Sequence, residues 1–204
     1  MRNICLLAAC LATAIPALAA PQSFDFKDPK GVNNAVFKLD APLESINGTA
    51  NGVSGTVNFD PANPAGLTGK IVVAADSLRV PNPVMQSHLI GKDWLDVATH
   101  KEITFEAEKV GNVKSAGNES TAEVTGKFTL HGVTKPITAP VRFTYLKDKL
   151  GARTGGKMEG DLLVIRSTFK IMRSDFGINP GAPTDKVSDE IEIVLSVAGA
   201  APRK

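Results

Sequence analysis

Cysteine is nearly absent from this 204-residue chain, occurring only as Cys5 and Cys10. Past residue 10, neither a disulfide nor thiol chemistry can account for stability or function. A dominant charge is missing too. Lys and Arg number 23 against 21 Asp and Glu, and they are scattered rather than run together. That balance leaves no footprint for nucleic acid. No apolar run reaches the roughly 20 residues that span a bilayer as a helix. Internal repeats and low-complexity tracts are also lacking, and one domain is the default at this length.

The first residues form the longest apolar stretch, and they have the layout of an export signal. Arg2 supplies a positive start, Ile4 to Ile15 are apolar, Pro16 interrupts them, and Ala17-Leu18-Ala19 offers an A-x-A cleavage site. Cleavage after Ala19 leaves a cysteine-free domain of residues 20–204 in the periplasm. A lipoprotein signal at Leu7-Ala8-Ala9-Cys10 is the competing reading, but its cysteine comes too early for a working apolar region. An exported chain without disulfides must hold itself together by apolar burial, and one of this size can.

The rest of the chain is dominated by alternation. From Ala122 to Tyr145, Ala122, Val124, Gly126, Phe128 and Leu130 share one face. Glu123, Thr125, Lys127, Thr129 and His131 take the other. After Gly132, Val133, Ile137, Ala139, Val141, Phe143 and Tyr145 again share a parity, against Thr134, Thr138, Arg142 and Thr144. A side-chain period of two gives each strand one dry and one wet face, and His131-Gly132 marks the hairpin turn. Similar segments occupy 34–40, 43–49, 53–59, 68–76, 102–113, 155–166 and 187–198. Within 81–97, Met85, Leu89, Trp94 and Leu95 recur at closer to helical spacing, predicting one or two short helices. Ser167 to Pro183 reads as irregular.

About eight antiparallel strands of this kind suit a closed barrel or a sandwich. An eight-stranded barrel is just wide enough to be filled by its own side chains or to hold one small ligand. Gly55, Ala75, Ala107, Gly126, Ala139 and Gly160 fall on the dry parity. They leave volume that either opposing side chains or a ligand must fill.

Seven short motifs, in order over residues 34–198, resemble the YceI-like family of exported polyisoprenoid-binding proteins. They are Asn58-Phe59-Asp60-Pro61, Asp76-Ser77-Leu78, and Ser87-His88-Leu89 with Asp93-Trp94-Leu95-Asp96. Ile103-Thr104-Phe105 comes next, then the run from Gly126 through His131-Gly132 to Lys135-Pro136. Arg173-Ser174-Asp175-Phe176-Gly177-Ile178 and Val187-Ser188-Asp189-Glu190 complete the set. The resemblance implies an all-β, antiparallel, eight-stranded lipocalin-like barrel around a long apolar cavity. It implies an isoprenoid or fatty-chain lipid as partner, and no reaction or cofactor. On this reading the candidate ligand contacts are Phe59, Val73, Phe105, Phe128, Ala139, Phe143 and Ile193 within the strands. Met85, Leu89, Trp94, Phe169, Ile171, Met172 and Phe176 join them from the two irregular segments, where a mouth or lid would lie. Methionine adapts its shape to a ligand whose fit need not be exact. A lipid cargo allows transient membrane contact, and a homodimer is compatible with the sequence. A ligand-free barrel acting through its surface is the alternative.

Chemistry beyond binding finds little footing. His88, His100 and His131 lack the spacing of converging metal ligands, and no metal site is expected. Asp175-Phe176-Gly177 has none of the motifs that accompany it in kinases, so Gly177 is read as permitting a tight bend over Phe176. Ser167, Ser174 and Ser188 lack a nucleophile-elbow context. No nucleophile, base and oxyanion site assembles, so no enzyme is expected.

Overall fold

The computed structural model describes residues 21–203. The export-signal expectation, on residues 1–19, lies outside them. Eleven antiparallel strands form one sheet: β1 (Gln22–Asp25), β2 (Asn34–Asp40), β3 (Ser45–Ala50), β4 (Val53–Phe59), β5 (Thr68–Ala74), β6 (Leu78–Arg79), β7 (Glu102–Ala116), β8 (Glu119–Leu130), β9 (Val133–Leu146), β10 (Gly160–Met172) and β11 (Glu190–Pro202). Eight of them close a ring in the order β1-β4-β5-β7-β8-β9-β10-β11, with β1 returning to β11 at Asp25–Ala200. Strands β2, β3 and β6 continue from β11 as a flap. The expected barrel is therefore the observed one.

Alternation carries the closure. Along β8 every even residue from Ala122 to Leu130 is buried, while the odd ones stay wet. His131 and Gly132 both take positive φ, 51° and 74°, the two-residue turn that matches strand twist. Gly132 has a second reason to lack a side chain, since a Cβ there would meet the His100 ring at 2.6 Å. The short helix expected in 81–97 is α1 (Pro83–Ile90). Asn82 caps it, its Oδ1 accepting from the Val84 and Met85 amides at 2.9 and 3.1 Å, and Pro83 sits where no intrahelical donor is needed.

Several elements depart from expectation. Strand β10 does not stop at 166 but runs to Met172, because Ser167, Phe169 and Ile171 keep the inward parity and pair with β11 throughout. The irregular segment begins only at Arg173. Strands β1 and β6 are too short to show a period. Helix α2 (Leu150–Thr154) forms because Leu150 buries beneath a loop that otherwise reads as polar.

The end of the barrel holding α2 is sealed by a polar cluster over aromatics. Asp161, buried, accepts from the Gln22 amide (3.0 Å), the Tyr145 hydroxyl (2.8 Å), the Asp148 backbone (2.8 Å) and Arg203 (2.6 Å). Burial alone would raise its carboxyl pKa; those donors and the Arg203 charge outweigh it and hold it below the ordinary range. Beside it, burial and the Asp161 carboxylate push the Tyr145 phenol up to about 12. Tyr145 is the one tyrosine of the chain, so its absorbance titration is unambiguous. We expect a midpoint near 12, falling back toward the ordinary value in Asp161→Asn; a wild-type midpoint at the ordinary value would contradict the cluster. A raised phenol pKa contributes stability in full below its unfolded value of about 10 and loses it as pH climbs through the folded value. The depressed Asp161 works at the other extreme. Its contribution is present above the ordinary aspartate pKa and lost as pH falls through the lower folded one.

At the same end Asn33, also buried, ties the branch of the sheet together. Its Nδ2 donates to the Phe26 and Ala198 carbonyls (2.9 and 3.1 Å), and its Oδ1 accepts from the Ala198 amide (2.9 Å).

Candidate functional site

The inward residues of the ring do not meet across the barrel. They leave a cavity of about 370 Å³ running along its axis. Its walls keep the two-residue period strand by strand. Strand β10 contributes Ile165, Ser167, Phe169 and Ile171, with Arg173 just beyond its end; β9 contributes Ala139, Val141 and Phe143. Strand β11 adds Ile191, Ile193 and Leu195, and β7 adds Ile103, Phe105 and Ala107, with Thr104 the one lining residue of β7 off the period. From Ile165 to Arg173 is eight steps, or about 26 Å along the strand at ~3.3 Å per residue. The void explains why Phe105, Phe169, Ile191 and Ile193 are only half-buried although they point inward.

Two packed clusters bound this space. One, at the sealed end, is built on Phe24, Phe26, Phe59, Phe143 and Leu163. The other, at the end carrying α1, is built on Leu78, Leu95, Phe128, Ile171, Phe176 and Ile178. Helix α1 buries no residue completely; it lays Met85, His88 and Leu89 along the cavity, with Trp94 beyond its end. This is the open end.

Polar groups are few, and those deep in the wall are already occupied. The Ser167 hydroxyl donates to the Pro140 carbonyl at 2.7 Å. Arg173, 1% exposed, donates through Nη1 to the Ile178 (2.6 Å) and Asn179 carbonyls and lies over the Trp94 ring, 5.7 Å from its centroid. Its carboxylate neighbour Asp189 is 3.9 Å away. Hydrogen bonds from the Ser174 side chain and backbone, with the Arg173 charge, hold Asp189 below the ordinary carboxylate range against the effect of burial. These bonds pin the 173–189 loop to the rim. His100 and His131 stack edge to face 4.7 Å apart outside the cavity.

Of the fourteen candidate contacts, eleven line the cavity: Val73, Met85, Leu89, Trp94, Phe105, Phe128, Ala139, Phe143, Phe169, Ile171 and Ile193. Three do not. Phe59 has the right parity but sits beyond the cavity floor, its ring 5.4 Å from Phe143. Met172 has the outward parity of β10 and is 44% exposed. Phe176 is fully buried, wedged against Phe128 (ring centroids 5.5 Å) behind the wall. Sequence reasoning did not single out Phe37, Ile46, Leu78 and Ile178, which also line it. Phe37 and Ile46 were legible as dry positions of β2 and β3; Leu78 and Ile178 come after turns and carry no periodic signal.

The small residues also need correcting. Ala107 and Ala139 do face the cavity, but Gly126 does not open it. A Cβ at Gly126 would collide with the Glu106 carbonyl and meet the Phe105 ring at 2.8 Å. Its smallness serves close strand pairing with β7.

The family described as YceI-like domain matches residues 29–198. A UPF0312 protein of Pseudomonas syringae pv. syringae is 36% identical over 145 residues, 71% of this chain and 69% of that protein. Among solved structures, BcnA of Burkholderia cenocepacia superposes with a TM-score of 0.65 at 23% identity, over 81% of this chain and 95% of its own. A polyisoprenoid binding domain from Saccharophagus degradans gives 0.64 at 12% identity, over 89% and 99%. At such identities these two likenesses bear on the fold.

Proposed function

We propose that this chain, which belongs to the YceI-like family, binds a long apolar chain, an isoprenoid or fatty lipid, and carries it through an aqueous compartment. The observation that carries this reading is the continuous apolar cavity. Apolar wall left facing water costs roughly 25 cal/mol per Å² relative to wall that is covered, and this lining is apolar over nearly its whole extent. A barrel that keeps such a void is built to have it filled. The polyisoprenoid-binding relative of like fold agrees with a lipid occupant.

The donor and acceptor phases are themselves lipid, so transfer needs only a modest preference. Burying a forty-carbon tail from water would release about 30 kcal/mol gross, beyond any practical affinity, but most of this cancels when the tail comes from a membrane. The work of the protein is to shield the chain between membranes. Binding without catalysis is the reading, since the lining is apolar apart from Glu44, His88, Thr104, Ser167 and Arg173, and Ser167 and Arg173 are already bonded to backbone carbonyls.

Lipid extraction and mass spectrometry of protein purified from its native host should recover one class of long-chain lipid in near-stoichiometric amount. An empty barrel would favour a surface-acting protein instead. Trp94, the one tryptophan of the chain, lines the cavity and should report loading by a change in emission.

The periplasm is the compartment we propose, resting on the sequence of residues 1–19 alone. N-terminal sequencing of protein from expressing cells should read from Ala20. A lipid-modified start at Cys10 would overturn the assignment.

A further inference from the structure

Pairing between β9 and β10 stops halfway up the barrel. The ladder runs from Leu146–Leu162 to Val141–Ser167 and ends there, although both strands continue toward the open end. Beyond that point Val133 to Pro140 pair only with β8, and Thr168 to Met172 only with β11. The sequence supplies the cause. After a two-residue turn the Leu130–Val133 pair is hydrogen-bonded, so odd residues of β9 face β8 with their N–H groups and even ones face β10. Pro136 and Pro140 fall on the even parity and have no N–H to give. Ser167 closes the last rung with its hydroxyl on the Pro140 carbonyl.

The split is covered from outside by side chains and by the turn at residues 174–176. On its outer side lies a groove of about 200 Å³ floored by Ile137, Ile171, Met172 and Phe176. Ile171 lines this groove and the central cavity alike. Phe128 packs edge to face against Phe169 on the cavity side (5.9 Å) and against Phe176 on the groove side (5.5 Å). At Ile171 one layer of side chains therefore separates cavity from groove, whereas the ring's other short junction, β1 with β11 at Asp25–Ala200, lies over the packed Phe24 and Phe26. Phe176 rides on a short 3-10 turn, Ser174–Phe176, with Gly177 next at φ 67°. The turn is tied to β9 by Asp175, which accepts from Lys135 Nζ at 2.8 Å, and to the hairpin by the Phe176 carbonyl, 3.1 Å from His131 Nδ1.

We infer that the split is a lateral binding site and portal. It takes the protruding end of a single-chain amphiphile longer than the cavity, and the chain passes between cavity and groove when the Phe176 ring swings aside. Opening it requires rotating side chains and leaves the backbone hydrogen bonds of the ring intact. This inference rests on the lipid-carrier reading.

The test sets a label at the split against one on the helix at the open end. In a Cys5→Ser, Cys10→Ser background, Met172→Cys places a thiol at the split and Val84→Cys places one on the outer face of α1; both native residues are well exposed, at 44% and 62%. Each is labelled with a bulky methanethiosulfonate reagent, which a reductant removes. Transfer of a pyrene-labelled long-chain fatty acid from phosphatidylcholine vesicles is then timed. A label at 172 should slow transfer about tenfold, with recovery on reduction, while one at 84 leaves it nearly unchanged. Slowing by the label at 84 alone, equal slowing by both, or no slowing by either overturns the portal and leaves the carrier reading standing. No transfer by the unlabelled protein would sink the carrier reading itself, and this inference with it.

Discussion

Phe128→Asp is expected to remove most of the stability of this barrel, while Lys127→Asp, one residue away, is expected to cost little. Phe128 is 5% exposed and its ring holds those of Phe169 and Phe176 in two edge-to-face contacts. Deleting a buried phenylalanine costs about 3–5 kcal/mol, and an unpaired carboxylate in its place adds several more unless it takes up a proton. The sum rivals the ~5–15 kcal/mol that holds a domain folded. Lys127 points to solvent and loses one exposed ion pair, to Glu108 at 2.7 Å, a kind of contact that contributes little in water. Urea denaturation of the two variants decides the matter. Equal shifts of the midpoint would mean that the inward face of β8 has been misassigned. A Phe128→Asp midpoint that recovers at low pH would show the carboxyl escaping its cost by protonation.

The same strand shows why so much was legible in the sequence. Where each inward residue is apolar and each outward one polar, a one-residue slip would expose the whole dry face, so register and burial are written together. Phe105, Phe128, Phe143 and Ile193 could be placed on the cavity side for that reason alone. Parity says which face a residue takes but not how far along the barrel the cavity extends. Phe59 therefore looked like a wall residue and lies beyond the floor, against Phe143. Nor does it govern the segments between strands. Phe176 sits in a turn, and its place behind Phe128 depends on the Gly177 bend and the His131 contact, neither of which has a period. Small residues were ambiguous in another way, since Gly126 and Ala139 look alike as gaps. One is filled by a neighbouring backbone and the other opens on a void; only the depth of the opposing strand separates them.

Ala139→Phe should empty the barrel of lipid without unfolding it. Ala139 is buried on β9, opposite Val124 on β8, and both line the cavity, as do Val141 and Ser167. It lies near the middle of the space, between the floor around Phe143 and the aromatic group at Phe128 and Phe169. A phenyl ring here can extend into the void and bar the chain from the deeper half. In a barrel packed to ordinary density the same ring would force its neighbours off their rotamers, at about 1–3 kcal/mol. A void absorbs it, so the midpoint of the delipidated variant should stay close to that of delipidated wild type. Delipidation of both matters, because a ligand bound only to the folded state would stabilise wild type by itself. Co-purified lipid should fall roughly tenfold, the equivalent of ~1.4 kcal/mol of lost binding. A large drop in the midpoint, together with no lipid on the wild-type protein, would mean that the barrel is packed shut and acts through its surface. Retained stability with undiminished lipid would place the chain on the far side of the cavity from β9, against the α1 and β2 walls.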